Sequence, residues 1–145
     1  MAASASKVIQ GEGRHVLVVG MGLTGYSIVR HLSEQGVGVC VADTRDFPPY
    51  LKQIREEFPA IEIITGRIPY DRIGTFDEVV VSPGIELDVT ASETPIFPVG
   101  DIELFGRQAA APVIAITGSN GKSTVTMLVT EMLKAAGYSV ETGGI

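Results

Sequence analysis

The sequence predicts an α/β protein, a doubly wound parallel sheet followed by the beginning of a second, phosphate-binding unit. Three observations carry that prediction. Short apolar runs alternate with amphipathic stretches, the pattern of parallel strands joined by helices. Between the first run and the first stretch stands Gly20-Met-Gly-Leu-Thr-Gly25, a Gly-x-Gly-x-x-Gly turn in the place where such a sheet binds nucleotides. Near the other end, Ile116–Thr124 reads ITGSNGKST, a second glycine turn ending in Gly-Lys-Ser between an apolar run and an amphipathic stretch. Together they describe a Rossmann-like parallel sheet followed by the truncated start of a P-loop ATPase domain.

Taken in order, Met1 to Gly13 is small and polar and reads as a short disordered lead-in without a targeting signal. His15–Val19 is the first strand. The helix expected over Gly25–Gln35 places Gly25, Ile28, Val29 and Leu32 on one face, so that it can press closely on the sheet. Val37–Ala42 is the second strand. A helix over Tyr50–Phe58 follows Pro48-Pro49, buries Leu51, Ile54 and Phe58, and is stopped by Pro59. Glu62–Thr65 and Glu78–Val81 are further strands, and Ser82-Pro83-Gly84 leaves the last of them at the carboxyl edge of the sheet. The stretch Asp88 to Pro98 reads as a connector and Gly100–Gln108 as a short bridging helix.

The second unit is expected to hold a strand over Val113–Ile116, the phosphate loop, and a helix with Val125, Leu128, Val129, Met132 and Ala136 on one face. Gly137 caps that helix, and Ser139–Glu141 starts a further strand. One and a half repeats of a parallel sheet cannot bury both faces, so the chain reads as an N-terminal fragment of a larger enzyme. The expected division is residues 1–99 for the first domain and 100–145 for the incomplete second.

The two glycine turns carry the chemistry. Gly118 and Gly121 permit a tight turn whose N–H groups and following helix N-terminus converge on phosphate oxygens. Lys122 supplies mobile positive charge, and the Ser123 hydroxyl suits Mg²⁺. The spacing Gly-x-x-Gly-Lys-Ser is two residues shorter than the general Walker A pattern, which implies a particular subgroup. In the first turn, Gly20 serves the bend, Gly22 permits close approach of a ligand or of backbone, and Asp43 stands near the offset of a ribose-binding acid. Plainer alternatives stay open: the glycines serving packing alone, Asp43 beginning a turn, Ser82-Pro83-Gly84 a simple chain reversal. The fingerprint by itself also fits a nicotinamide-dependent oxidoreductase or a regulatory nucleotide-binding module.

Composition limits the partners. A formal net charge of −6 without a basic stripe argues against nucleic acid and against a membrane surface. Cys40, the single cysteine, excludes an internal disulfide and fits a reducing compartment. No apolar run approaches the ~20 residues that span a bilayer.

In sequence order, GMGLTG at Gly20–Gly25, DTR at Asp43–Arg45, SPGI at Ser82–Ile85, GDIELF at Gly100–Phe105 and ITGSNGKST at Ile116–Thr124 resemble the Mur ligases of peptidoglycan synthesis. DTR, SPGI and GDIELF point to the D-glutamate-adding branch. The resemblance implies that the first domain grips UDP rather than NAD, that the second binds ATP and Mg²⁺, and that a third carries the incoming amino acid. It implies Leu23 and Thr24 on the diphosphate, Asp43 and Thr44 on uracil, Arg45 against its ring, and Ser82, Pro83 and Gly84 beside it. Gly118, Ser119, Asn120, Gly121, Lys122, Ser123 and Thr124 would enclose the ATP phosphates, with Lys122 catalytic and Ser123 a Mg²⁺ ligand. The implied reaction converts the alanyl carboxylate of UDP-N-acetylmuramoyl-L-alanine into an acyl phosphate, which the amine of D-glutamate attacks. A monomeric, cytoplasmic enzyme is expected, its later motifs beyond this chain. The family continues Gly-Gly-Asn where this chain has Gly143-Gly144-Ile145.

Overall fold

Five parallel strands form one sheet in the order β3-β2-β1-β4-β5 in a computed structural model that describes residues 13–143. The expected lead-in, up to residue 12, and the departure at Gly144 and Ile145 lie outside the described residues. The chain lays down β1 (His15–Val19), β2 (Gly38–Asp43) and β3 (Glu62–Thr65) outward from the centre, then returns to place β4 (Glu78–Val81) on the other side of β1. That reversal makes the gap above β1 and β4 the topological switch point, where sheets of this kind bind ligands. Val19 stands in register with Ala42 on one side and Val81 on the other.

β1 is buried along Val16–Val19, and alternate residues feed two cores. Val16 and Val18 join Val39, Val41 and Val80 beneath α1 (Leu23–Glu34) and α2 (Leu51–Glu57), which contribute Ile28, Val29, Leu32 and Ile54. Leu17 and Val19 join Cys40, Ala42 and Val79 on the opposite face. That second face is covered by a 3-10 helix, Tyr70–Thr75, with Ile73, and by Ile68 and Phe76 beside it; Ile85, Leu87 and Ile96 of the following segment pack against it. Cys40 is fully buried there, and burial first, then the nearby Glu62 charge, pushes its thiol up to about 11. It is a core residue and no nucleophile at neutral pH.

The expected elements of this unit recur within a residue or two. α1 starts at Leu23, two residues before Gly25, because Gly22 already serves as its N-cap. Its buried residues are the predicted Gly25, Ile28, Val29 and Leu32. Two elements were not foreseen: the 3-10 helix, and β5 (Val99–Gly100), which pairs with β4 and precedes α3 (Asp101–Gln108). Leu104 buries α3 against the sheet, and the Arg107 guanidinium reaches Glu78 at the start of β4, as does that of Arg14.

The chain divides into two compact units, Met1–Gln108 and Ala109–Ile145. In the second, α4 (Lys122–Ala135) forms as expected after the glycine turn. A Schellman cap ends it: Gly137 has φ +89° and donates to the Lys134 carbonyl at 2.9 Å, while Tyr138 N–H reaches Leu133 at 3.1 Å. The strands expected over Val113–Ile116 and Ser139–Glu141 do not form. An apolar run becomes a strand only where a neighbour accepts and donates its backbone hydrogen bonds, and Val113 and Ile114 are exposed. The predicted apolar face of α4 is exposed at Val125, Leu128 and Met132. Among the described residues no helix is long and apolar enough to cross a membrane.

Candidate nucleotide site

Three segments leave adjacent strands at the carboxyl edge of the first unit. Gly20 follows β1 with φ +107° and donates to the Ala42 carbonyl at 2.7 Å. Ser82 follows β4 and donates its N–H to the Val19 carbonyl at 2.9 Å. The Ile85 N–H closes back on the Ser82 carbonyl at 3.3 Å, with Gly84 at φ +81°. That is the hydrogen bond and the left-handed third residue of a type II turn, for which proline followed by glycine is the favoured pair. Asp43 ends β2 between Gly20 and the loop that follows.

The glycines divide by what surrounds them. A Cβ on Gly25 would stand 1.8 Å from the Gly20 carbonyl oxygen, so only glycine lets α1 press on the turn. A Cβ on Gly20 would meet Ile85 and the Ser82 hydroxyl within 3 Å of its position, as at 2.6 and 2.8 Å. Gly22 and Gly84 are different: nothing lies within 4 Å of a Cβ at either. Those two open positions face space that a ligand can enter.

Asp43 is 1% exposed and its carboxylate is fully engaged. Oδ2 accepts the Met21 N–H at 2.8 Å and Arg45 Nη2 at 2.7 Å; Oδ1 accepts the Arg45 N–H and Nε at 2.9 Å each. Burial alone pushes this carboxyl up, but the Arg45 side chain and backbone and the Met21 N–H outweigh it and hold the group below its ordinary value. The plain expectation that Asp43 begins a turn is met in part, since its bond to the amide two residues on is an Asx turn. Arg45 lies in this structure against Asp43, with its side chain half exposed.

Leu23 is 65% exposed at the start of α1, Thr24 is half-buried, and Thr44, Pro83 and Gly84 are exposed. Ser82 is buried, and its hydroxyl has no hydrogen-bond partner. A shallow cavity of about 290 Å³ runs along Val81–Ile85 to Pro98 and Val99. Sequence reasoning missed Met21, the middle residue of the first turn: fully buried, it donates to Asp43 and its carbonyl accepts the Tyr50 N–H at 3.1 Å. Nothing in a Gly-x-Gly pattern distinguishes that residue beyond its size.

In the second unit, Gly118 and Gly121 take φ +154° and +77°, both in the range that favours glycine, and Gly121 caps α4. Ser119, Asn120, Ser123 and Thr124 are exposed. Lys122 Nζ donates back across the turn to the Gly118 carbonyl at 2.7 Å. The first-turn N–H groups of a helix have no partner within it, so Lys122, Ser123 and Thr124 present donors at the turn. A Cβ at Gly121 would meet nothing within 4 Å. This exposed left-handed turn, with its lysine and helix N-terminus, fits a phosphate chain.

Comparison with known proteins bears on the first unit directly. Residues 14–95 match the family described as Mur ligase MurD-like, N-terminal domain. The chain is 50% identical over 135 residues to the UDP-N-acetylmuramoylalanine–D-glutamate ligase of Pseudomonas syringae pv. syringae, an alignment covering 90% of this chain and 30% of that protein. It is 42% identical over 139 residues to the ligase of that name from Hahella chejuensis, covering 94% and 31%, and 46% identical over 135 residues to that from Shewanella violacea, covering 88% and 30%. The chain thus spans about 30% of the length of these relatives. With the 3-2-1-4-5 parallel sheet and its glycine turn, the match establishes that this chain belongs to the MurD-like Mur ligase family, through its N-terminal domain.

Proposed function

We propose that these 145 residues are the N-terminal portion of an ATP-dependent ligase that adds D-glutamate to UDP-N-acetylmuramoyl-L-alanine, and that the chain by itself binds the uridine diphosphate end of that substrate without catalysing. The observation that carries the binding reading is the meeting of the glycine turn, Asp43–Arg45 and Ser82–Gly84 at the switch point, with Gly22 and Gly84 open above it. Family membership favours UDP over a nicotinamide dinucleotide there.

On this reading the backbone at Leu23 and Thr24, at the N-terminus of α1, receives the diphosphate, since a helix N-terminus favours an anion. Thr44 and Asp43 address the donor and acceptor edge of uracil, Arg45 lies against its ring, and Gly84 meets it by backbone. Because the Asp43 oxygens are engaged with Arg45 and Met21, contact of Asp43 with the base requires Arg45 to turn from the carboxylate toward the ring. The Ser82 hydroxyl is buried beneath the glycine turn without a partner, so it reaches a ligand oxygen only if that turn shifts on binding.

In the second unit the same reading assigns Gly118–Thr124 to the ATP phosphates, Lys122 to the transferred phosphoryl group and Ser123 to Mg²⁺, which when bound offsets phosphate charge. Lys122 must then exchange its bond to Gly118 for a phosphate oxygen. The D-glutamate site belongs to the part of such a ligase outside these 145 residues, and the enzyme is read as a cytoplasmic monomer.

Calorimetric titration of the chain with UDP tests the reading. Saturable binding is expected, weakened in Arg45→Ala by about 1–2 kcal/mol, the scale of a desolvated cation–ring contact. Absence of UDP binding by the folded chain would overturn the assignment of the site.

A further inference from the structure

The loop after β2 carries a large apolar side chain that the fold does not use. Phe47 is 89% exposed, although isolated apolar residues on a surface are ordinary. Its setting is what distinguishes it. The Arg45 carbonyl accepts the Gly66 N–H at 3.2 Å, Pro48 is buried and accepts the Leu51 N–H at 3.2 Å, and the Tyr50 N–H binds the Met21 carbonyl of the glycine turn at 3.1 Å. The loop is therefore fixed on both sides of Phe47. Its neighbours are turned elsewhere: Arg45 onto Asp43, and Asp46 toward Gly66, where its Oδ1 stands 2.6 Å from the position of an added Cβ. Two residues of chain reach at most about 7 Å, so the Phe47 Cα lies within that distance of the Arg45 Cα, beside the same sheet edge.

We propose that Phe47 packs its ring on the nucleobase of the nucleoside diphosphate held at this edge, and so helps select a base-bearing ligand over a bare diphosphate. The proposal rests on the uridine nucleotide reading of the site. A bare diphosphate is anchored by the α1 N-terminus and the glycine turn alone; an aromatic on a fixed loop adds a contact only a planar base can use, at little conformational cost.

The chain contains no tryptophan, so Phe47→Trp introduces a sole indole at the position in question. UDP is expected to change its emission saturably, at concentrations matching the calorimetric titration, while inorganic pyrophosphate leaves the emission unchanged. Phe47→Ala should bind UDP on the order of ten-fold more weakly with an unaltered melting temperature, and Phe47→Tyr should restore the affinity. An indole that is silent at saturating UDP, or a Phe47→Ala chain that binds UDP as the unaltered one does, overturns the proposal while leaving the UDP site standing. Failure of the unaltered chain to bind UDP removes the site itself, and this proposal with it.

Discussion

Gly22 and Gly25 share one turn and answer to opposite demands. Gly25→Ala drives a methyl into the Gly20 carbonyl, 1.8 Å away, and backbone cannot yield as a side-chain tip can; a loss on the order of 3 kcal/mol is expected. Gly22, with φ −87° and open space around it, should accept alanine with little change in melting temperature yet lose UDP affinity. Thermal melts and titrations of the two variants separate packing from binding; equal destabilisation by both would remove Gly22 from the ligand-facing set. Asp43 makes a pH prediction. Its folded carboxyl lies below the ordinary value of 3.8, so the stability it contributes is present above that value and lost as pH falls through the lower folded one. Asp43→Asn should cost about 1.5–3 kcal/mol near neutrality, the scale of hydrogen bonds to a charged group, and flatten the acid limb of a urea-midpoint profile; an unchanged limb would show that other carboxylates govern it. The bend at Gly20 and the close packing at Gly25 were legible because each follows from spacing and backbone sterics. The Arg45 fork onto Asp43 and the exposure of Phe47 were not, since both depend on how one short loop is tied to Met21 and Gly66.

At the scale of elements, periodicity located what it can report and missed what it cannot. α1 was legible because Gly25, Ile28, Val29 and Leu32 repeat at helical spacing, whereas β5 is two residues long and carries no period at all. The run Val113–Ile116 has the composition of a strand but not the partner that would make it one, because composition reports a tendency to enter a sheet and says nothing of a free neighbouring edge. Hydrogen exchange tests this contrast. β1, flanked by β2 and β4 and buried from Val16 to Val19, should exchange only through global opening of its unit. The amides of Val113–Ile116 should exchange near the intrinsic rate. α4, 14 residues long with its apolar face exposed, lies near the length at which isolated helices are marginal in water, and intermediate protection is expected. Protection of Val113–Ile116 equal to that of β1 would mean that this segment pairs in solution with something the structure does not contain.

The chain holds a complete sheet in its first unit and a loop and helix in its second, and the two differ in what each supplies. The first unit has both faces of its sheet covered and every segment of its candidate site on one edge, so the proposed binding of UDP draws on residues of this unit alone. The second offers Gly118–Thr124 as a backbone cradle, and backbone geometry is enough to touch phosphate. Transfer demands more: further groups to hold Mg²⁺, an oriented acceptor carboxylate, and closure that excludes water. The chain spans about 30% of the length of the ligases it resembles. The expected outcome is therefore no D-glutamate ligation and negligible ATP turnover by these 145 residues, with both present in a protein extended to the relatives' length and abolished there by Lys122→Ala. Phosphate release with UDP-N-acetylmuramoyl-L-alanine, ATP, Mg²⁺ and D-glutamate, run on the short and extended proteins together, decides it. Substrate-dependent release by the short chain would show that the cradle and the first unit suffice for phosphoryl transfer, and silence from the folded, extended protein would sink the ligase reading itself.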